Sequence, residues 1–143
     1  MTLDKWESFI KLASHVAHKH PTLFQTTDTD VLREYLSFHQ LHGNLFIVDG
    51  AFAVIHPVID KEDDFEWQQP KSDIYRMDVL YADSKKAGKE LLREIIRTDR
   101  KMAKAYAFRR GKLIEWDARL TRRFLYGKEK STSTPKASNQ KLR

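Results

Sequence analysis

The chain has 143 residues, with 26 Lys and Arg against 20 Asp and Glu, six His, no Cys, five Gly and four Pro. That length fits one domain, and 41% hydrophobic with 11% aromatic residues is too apolar for a chain disordered throughout. Without Cys there is no disulfide framework, thiolate nucleophile or Cys-ligated zinc, and no apolar run is long enough to cross a bilayer.

The N-terminal MTLDKWESF lacks the basic and apolar regions of a secretory signal, so a cytoplasmic protein with no membrane partner is expected. Charge is unevenly placed. Residues 1–83 hold seven basic and fourteen acidic side chains, whereas residues 84–143 hold nineteen basic and six acidic. Residues 1–120 sum to zero, so the net +6 belongs to the C-terminal stretch. A basic half implies an anionic partner or its own acidic half.

Residues 3–19 read as an amphipathic helix: Trp6, Phe9, Ile10, Ala13, Val16 and Ala17 recur at helical spacing, and Pro21 closes the segment. Thr27-Asp28-Thr29-Asp30 supplies capping oxygens and negative charge for a second helix over 28–42. Its apolar side is Val31, Leu32, Tyr35, Leu36, Phe38 and Leu41, and Gly43 stops it. The period then changes to two β-rich runs, NLFIV and AFAVI, around Asp49-Gly50, which predicts a hairpin over 44–55 with a type I′ turn. Pro57 limits the second strand. Residues 60–72 are polar and acidic and read as a loop that Phe65 and Trp67 pin to the body. Alternation over Ile74–Tyr81 predicts a third strand.

Ser84 is placed to cap a third helix, KKAGKELLREIIRT, with Leu91, Leu92, Ile95 and Ile96 inward. Residues 101–109 read as a fourth strand, and Gly111-Lys112 turns the chain into a fifth, LIEW. Asp117 caps a short helix ending at Gly127. The expected organisation is therefore one domain over 1–127 and a basic, disordered tail over 128–143 that has almost nothing to bury. The predicted class is α+β: a twisted, mainly antiparallel sheet of about five strands flanked by helices, with strand 101–109 beside strand 74–81.

The element order, centred on MDVLYADSKKAGKELLREII, resembles the GNAT superfamily of acyl-CoA-dependent N-acyltransferases over residues 3–110. Lys85-x-x-Gly88-x-Glu90 stands where that family carries the turn [QR]-x-x-G-x-[GA], whose amides hold the pyrophosphate of coenzyme A. The resemblance implies binding of acetyl-CoA or another acyl-CoA by Leu80, Lys85, Lys86, Ala87, Gly88 and Lys89, and transfer to an amine. Free amides and the helix dipole both favour an anion at such a point. It also implies a carboxylate base on the central strand, here Asp78, and a tyrosine proton donor to the thiolate, here Tyr106 or Tyr126. The plain structural alternative is an Asp78–Arg76 pair bracing the strand.

The histidines form two spaced groups, His15-x-x-His18-x-His20 and His39-x-x-His42, but neither completes HExxH or a facial triad, so no metal site is expected. The rival function uses the basic half. Arg109, Arg110 and Lys112 lie on a hairpin turn, and Arg119, Arg122 and Arg123 follow, with Tyr106, Phe108 and Trp116 interleaved. Such a surface suits nucleic acid or an acidic protein. A non-enzymatic, virion-associated role belongs to the same reading, since the chain looks similar to small bacteriophage proteins of GNAT-like shape.

Overall fold

The computed structural model describes residues 1–98, 104–117, 121 and 123. Helix α1 spans Leu3–Lys19 and begins where the Thr2 hydroxyl accepts from the Lys5 amide. Helix α2 spans Thr29–Leu41, capped by the Asp28 carboxylate, which accepts from the Asp30 and Val31 amides. Gly43, at φ +74°, ends α2: its N–H donates to Gln40 O, and the Asn44 N–H donates to His39 O. This Schellman arrangement also sets the Asn44 side chain beside His39.

Strands β1 (Leu45–Val48) and β2 (Ala51–Pro57) form the expected hairpin, and β2 stops at Pro57. Its turn differs from the type I′ expectation, because only Gly50 of the two turn residues has positive φ. The Asp83 N–H donates to Gly50 O, and the Asp83 carboxylate fills the space beside the Gly50 α-carbon. The turn is thus docked on the start of the third helix, and its shape follows that contact. The type I′ signature of two positive φ values occurs instead at Arg110-Gly111.

Strand β3 (Tyr75–Ala82) pairs antiparallel with β2, helix α3 spans Lys85–Thr98, and β4 (Lys104–Arg109) and β5 (Lys112–Asp117) close the sheet in the order β1-β2-β3-β4-β5. The architecture is α+β, with a mixed five-stranded sheet between helices. Only β3 and β4 run parallel, joined across α3. Of the predicted fourth strand, residues 101–103 fall outside the described residues, as do the tail 128–143 and most of the helix expected after Asp117; Thr121 and Arg123 are helical.

Two cores flank the sheet. Phe9, Ile10, Val16, Leu32 and Leu36 of α1 and α2 pack on Phe52, Val54 and Val79. Ala87, Leu91 and Ile95 of α3 pack on the opposite face with Phe46, Ile55 and Met77. Each large aliphatic side chain buried this way contributes about 1.5–3 kcal/mol. β2 is buried along its whole length because both cores use it.

Register is the feature that positions the site. Val54 pairs with Val79 and Ile55 with Met77, so Asp78 is an extra residue, a β-bulge in β3. A bulge re-aims a side chain that strict alternation would place differently. Here it leaves Asp78, Arg76 and Val79 all on the side of α1 and α2.

Candidate functional site

Three places carry the polar chemistry of the fold: a sealed cluster under α2, the point where β3 and β4 part, and the first turn of α3. The cluster is built around Asp78. One carboxylate oxygen, Oδ2, accepts from the Tyr35 hydroxyl at 2.7 Å, from His56 Nε2 at 2.7 Å and from the Phe65 amide at 2.9 Å. The other, Oδ1, is buried and has no partner among the described residues. The side chains of His56 and Asp78 are both wholly buried. His56 Nδ1 faces Pro57 O at 3.3 Å, so each ring nitrogen faces an acceptor.

His39 lies against His56, with ring centroids 4.6 Å apart. Its Nε2 meets the Glu66 carbonyl at 3.1 Å and must carry the proton, which leaves Nδ1 to accept from Asn44 Nδ2 at 3.0 Å. Burial, followed by the neighbouring His56, pushes this imidazole down to about 4. The Tyr35 hydroxyl is raised well above its ordinary value, first by burial and then by the Asp78 carboxylate beside it.

The connection from β2 to β3 straps this cluster shut. The Phe65 amide and Glu66 carbonyl are two of its anchors, and Asn44 Nδ2 donates to Gln69 Oε1. Arg76 Nη1 donates to Lys61 O, and Nη2 lies 3.6 Å from the Asp64 carboxylate. The expected Asp78–Arg76 pair is therefore absent: the strap claims the guanidinium, and the bulge turns the carboxylate toward Tyr35 and His56. Arg76 Nε is left buried without a partner. Phe65 holds φ +51°, a left-handed backbone that an aromatic residue adopts only under tertiary constraint. Its ring packs on Tyr35, and Trp67 stacks near Tyr35 and Phe38, so both pins expected from the sequence are in place.

The second place is the β3–β4 junction. The parallel ladder joins Tyr75 to Ala105 and Arg76 to Tyr106 and goes no further. β3 continues to Ala82 and β4 to Arg109 without pairing with each other, so the two strands part toward their C-terminal ends. Asp78 remains partly exposed although its side chain is sealed, which places its main chain at this opening. Leu80 and Phe108 are exposed along it, and Tyr106, half-buried, sits where it begins.

The third place lies at the open end of that gap. The Ser84 hydroxyl accepts from the Ala87 amide, and the Gly88 N–H donates to Ser84 O. Gly88 is thus the fourth residue of α3, not part of a turn, because capping at Ser84 starts the helix before it. The amides of Lys85 and Lys86 are the first-turn donors with no partner among the described residues. A cleft of about 490 Å³ adjoins them, lined by Val48, Asp49, Gly50, Asp83, Ser84, Lys86, Ala87 and Glu90. Asp49, Asp83 and Glu90 therefore share the cleft with Lys86, and Lys85 and Lys89 are exposed on the same helical turn.

Among the basic residues, Arg109, Arg110, Lys112 and Arg123 are exposed, and Arg119, Arg122 and Tyr126 lie outside the described residues. Trp116 packs on the α3-side core, and Phe108 carries the Arg76 guanidinium 5.3 Å from its ring centre. His42 is exposed and is not joined to His39 in the cluster; His39 instead meets His56 and Asp78.

The sequence reading singled out Asp78 but missed Tyr35, His56 and Asn44. A signal existed: Tyr35 and His39 are one helical turn apart, and His56 interrupts an otherwise apolar strand. Comparison of the chain with protein-family profiles, with curated proteins and with solved structures finds no match.

Proposed function

We propose that the chain binds an extended, phosphorylated, amide-containing ligand of the acyl-CoA class between β3 and β4, with the phosphate end at the first turn of α3. The observation that carries this reading is the parallel pair that stops at Arg76 and Tyr106 and then opens toward the α3 N-terminus. Over residues 77–82 the side of β3 turned away from β2 has no strand partner among the described residues, which leaves its amides and carbonyls to pair with an extended ligand. The Lys85 and Lys86 amides, the helix dipole and the ammonium groups of Lys85, Lys86 and Lys89 favour anionic oxygens at the far end. Asp83 and Glu90 oppose a dianion on the hairpin side of the cleft, so the phosphates sit on the lysine side.

Acyl transfer to an amine belongs to the same proposal. Tyr106 stands at the apex of the opening, within reach of a thioester placed there to protonate its leaving sulfur. The Asp78–His56 pair could take the amine proton only after the 58–74 strap lifts, since every route to it is closed by Tyr35 and Phe65. Calorimetric titration with coenzyme A and acetyl-CoA tests binding: saturable heat and a raised melting temperature are expected, both weakened by Lys85→Glu with Lys86→Glu. No heat and no thermal shift at millimolar ligand would refute it.

A second reading rests on the β4–β5 tip, where Arg109, Arg110 and Lys112 are exposed on a type I′ turn next to exposed Phe108. Cations with an adjacent ring suit single-stranded nucleic acid. Affinity for a generic oligonucleotide should fall steeply with salt and with removal of these three charges; salt-insensitive binding would exclude it.

A further inference from the structure

From the sealed cluster under α2 we infer a binding site for one divalent first-row transition-metal ion, zinc being the ion the ligands suit best, held by His39, His56 and Asp78. The site lies apart from the gap proposed to bind acyl-CoA but shares His56 and Asp78 with the transfer step proposed above, so an ion held here takes that pair out of use as a base. The three side chains come from α2, β2 and β3, and each offers a ligand atom within 4.8 Å of the others. Two imidazoles and one carboxylate are a recognised donor set for zinc and for ferrous iron. No thiolate is present to favour a softer ion.

The independent observation is the carboxylate itself. Asp78 Oδ1 is buried without a donor among the described residues, while Oδ2 on the same group accepts three. Buried acceptors are almost always satisfied, and an orphan beside two histidines is explained by a cation that the protein alone does not supply. The surroundings match what a metal site requires of its outer shell. His56 is anchored through Nδ1 on the Pro57 carbonyl, leaving Nε2 directed at Asp78. The Tyr35 hydroxyl and Phe65 amide fix the carboxylate. His39, by contrast, spends Nε2 on the Glu66 carbonyl and Nδ1 on Asn44, so coordination through Nε2 requires it to give up Glu66, move its proton to Nδ1 and turn over the Asn44 and Gln69 amides.

Binding replaces the proton that His56 shares with Asp78 and releases it to solvent. The ligand atoms of a tetrahedral zinc ion, about 2.0–2.2 Å from the metal, stand about 3.4 Å apart. The His56–Asp78 contact at 2.7 Å therefore opens slightly, and His39 moves in by about 1 Å on that geometry. An ion here ties the strap to both α2 and the sheet, so its consequence is to lock the strap.

The test uses the full chain without an affinity tag, stripped with chelator and then titrated with Zn²⁺ and, as an optical stand-in, Co²⁺. One ion per chain, visible d–d absorption of a low-symmetry cobalt site and a raised melting temperature are expected. His56→Gln and Asp78→Asn should lower affinity at least a hundredfold, whereas His42→Gln and His15→Gln should leave it unchanged. If a variant fails to fold, the wild-type titration still decides: no stoichiometric uptake and no thermal shift would overturn the site. Uptake that survives in the cluster variants but is lost with His15, His18 or His20 would overturn it equally, by placing the ion on the surface.

Discussion

Removing the Asp78 carboxylate should be among the most damaging single changes to this protein, and the structure allows the cost to be worked out. In metal-free protein, Asp78→Ala leaves three buried donors without an acceptor: the Tyr35 hydroxyl, His56 Nε2–H and the Phe65 amide. An orphaned buried donor costs about 1–3 kcal/mol, and a buried ion pair broken on one side about 3–5 kcal/mol. Tyr35 and Phe65 recover part of this if the strap loosens and admits water, so the expected loss is about 4 kcal/mol. That is a large fraction of the 5–15 kcal/mol typical of a whole domain. Asp78→Asn can keep an oxygen at the Oδ2 position for the three donors but loses the charge and buries an NH2 where Oδ1 stood, so about half the loss is expected. Urea unfolding in chelator, followed by far-UV circular dichroism and by tryptophan fluorescence, measures both. Adding Tyr35→Phe to Asp78→Ala should cost less than the sum of the two single changes, because they share one hydrogen bond. An Asp78→Ala cost below about 1 kcal/mol would refute the reasoning, since it would mean that the three donors find other partners without loss.

Other expectations follow from the same coordinates. Gly88→Ala should stabilise by about 0.5–1 kcal/mol in thermal or urea unfolding, because Gly88 is helical and a Cβ there meets only the Ala82 methyl at 3.6 Å. Gly50→Ala should instead destabilise by about 1–3 kcal/mol, since Gly50 holds φ +85° and a Cβ would lie 2.7 Å from Asp83 Oδ1. Ser84→Ala should cost about 1 kcal/mol through loss of the cap on the Ala87 amide, read by the same unfolding assay. The raised Tyr35 hydroxyl sets an alkaline limit: above its unfolded value near 10 the unfolded chain loses a proton that the folded chain keeps. Stability from this group is thus whole below pH 10 and falls as pH rises beyond it, by up to about 1.4 kcal/mol per pH unit. Tyr35→Phe should lack that component in a pH series of unfolding midpoints.

Local sequence was enough to determine the elements. Helical spacing in residues 3–19 and 28–42, the Asp28 and Ser84 caps, Gly43, and Pro57 at the end of β2 are all short-range signals, and each acts within a few residues of where it is read. Even the strap was legible through its acidic run and its two aromatic pins. Tertiary structure alone decided the rest. The bulge at Asp78 is a property of the pairing of β3 with β2, and neither strand encodes it separately. Tyr35, His39, His56 and Asp78 are spread over 44 residues of chain and meet only because α2 packs on that face of the sheet. The early parting of β3 from β4 is likewise a property of how the two strands pair, which neither carries alone. Hydrogen bonds and packing within one turn or one strand are set by neighbours in sequence. Burial of a charge, the absence of its partner and the opening of a sheet are set by neighbours in space.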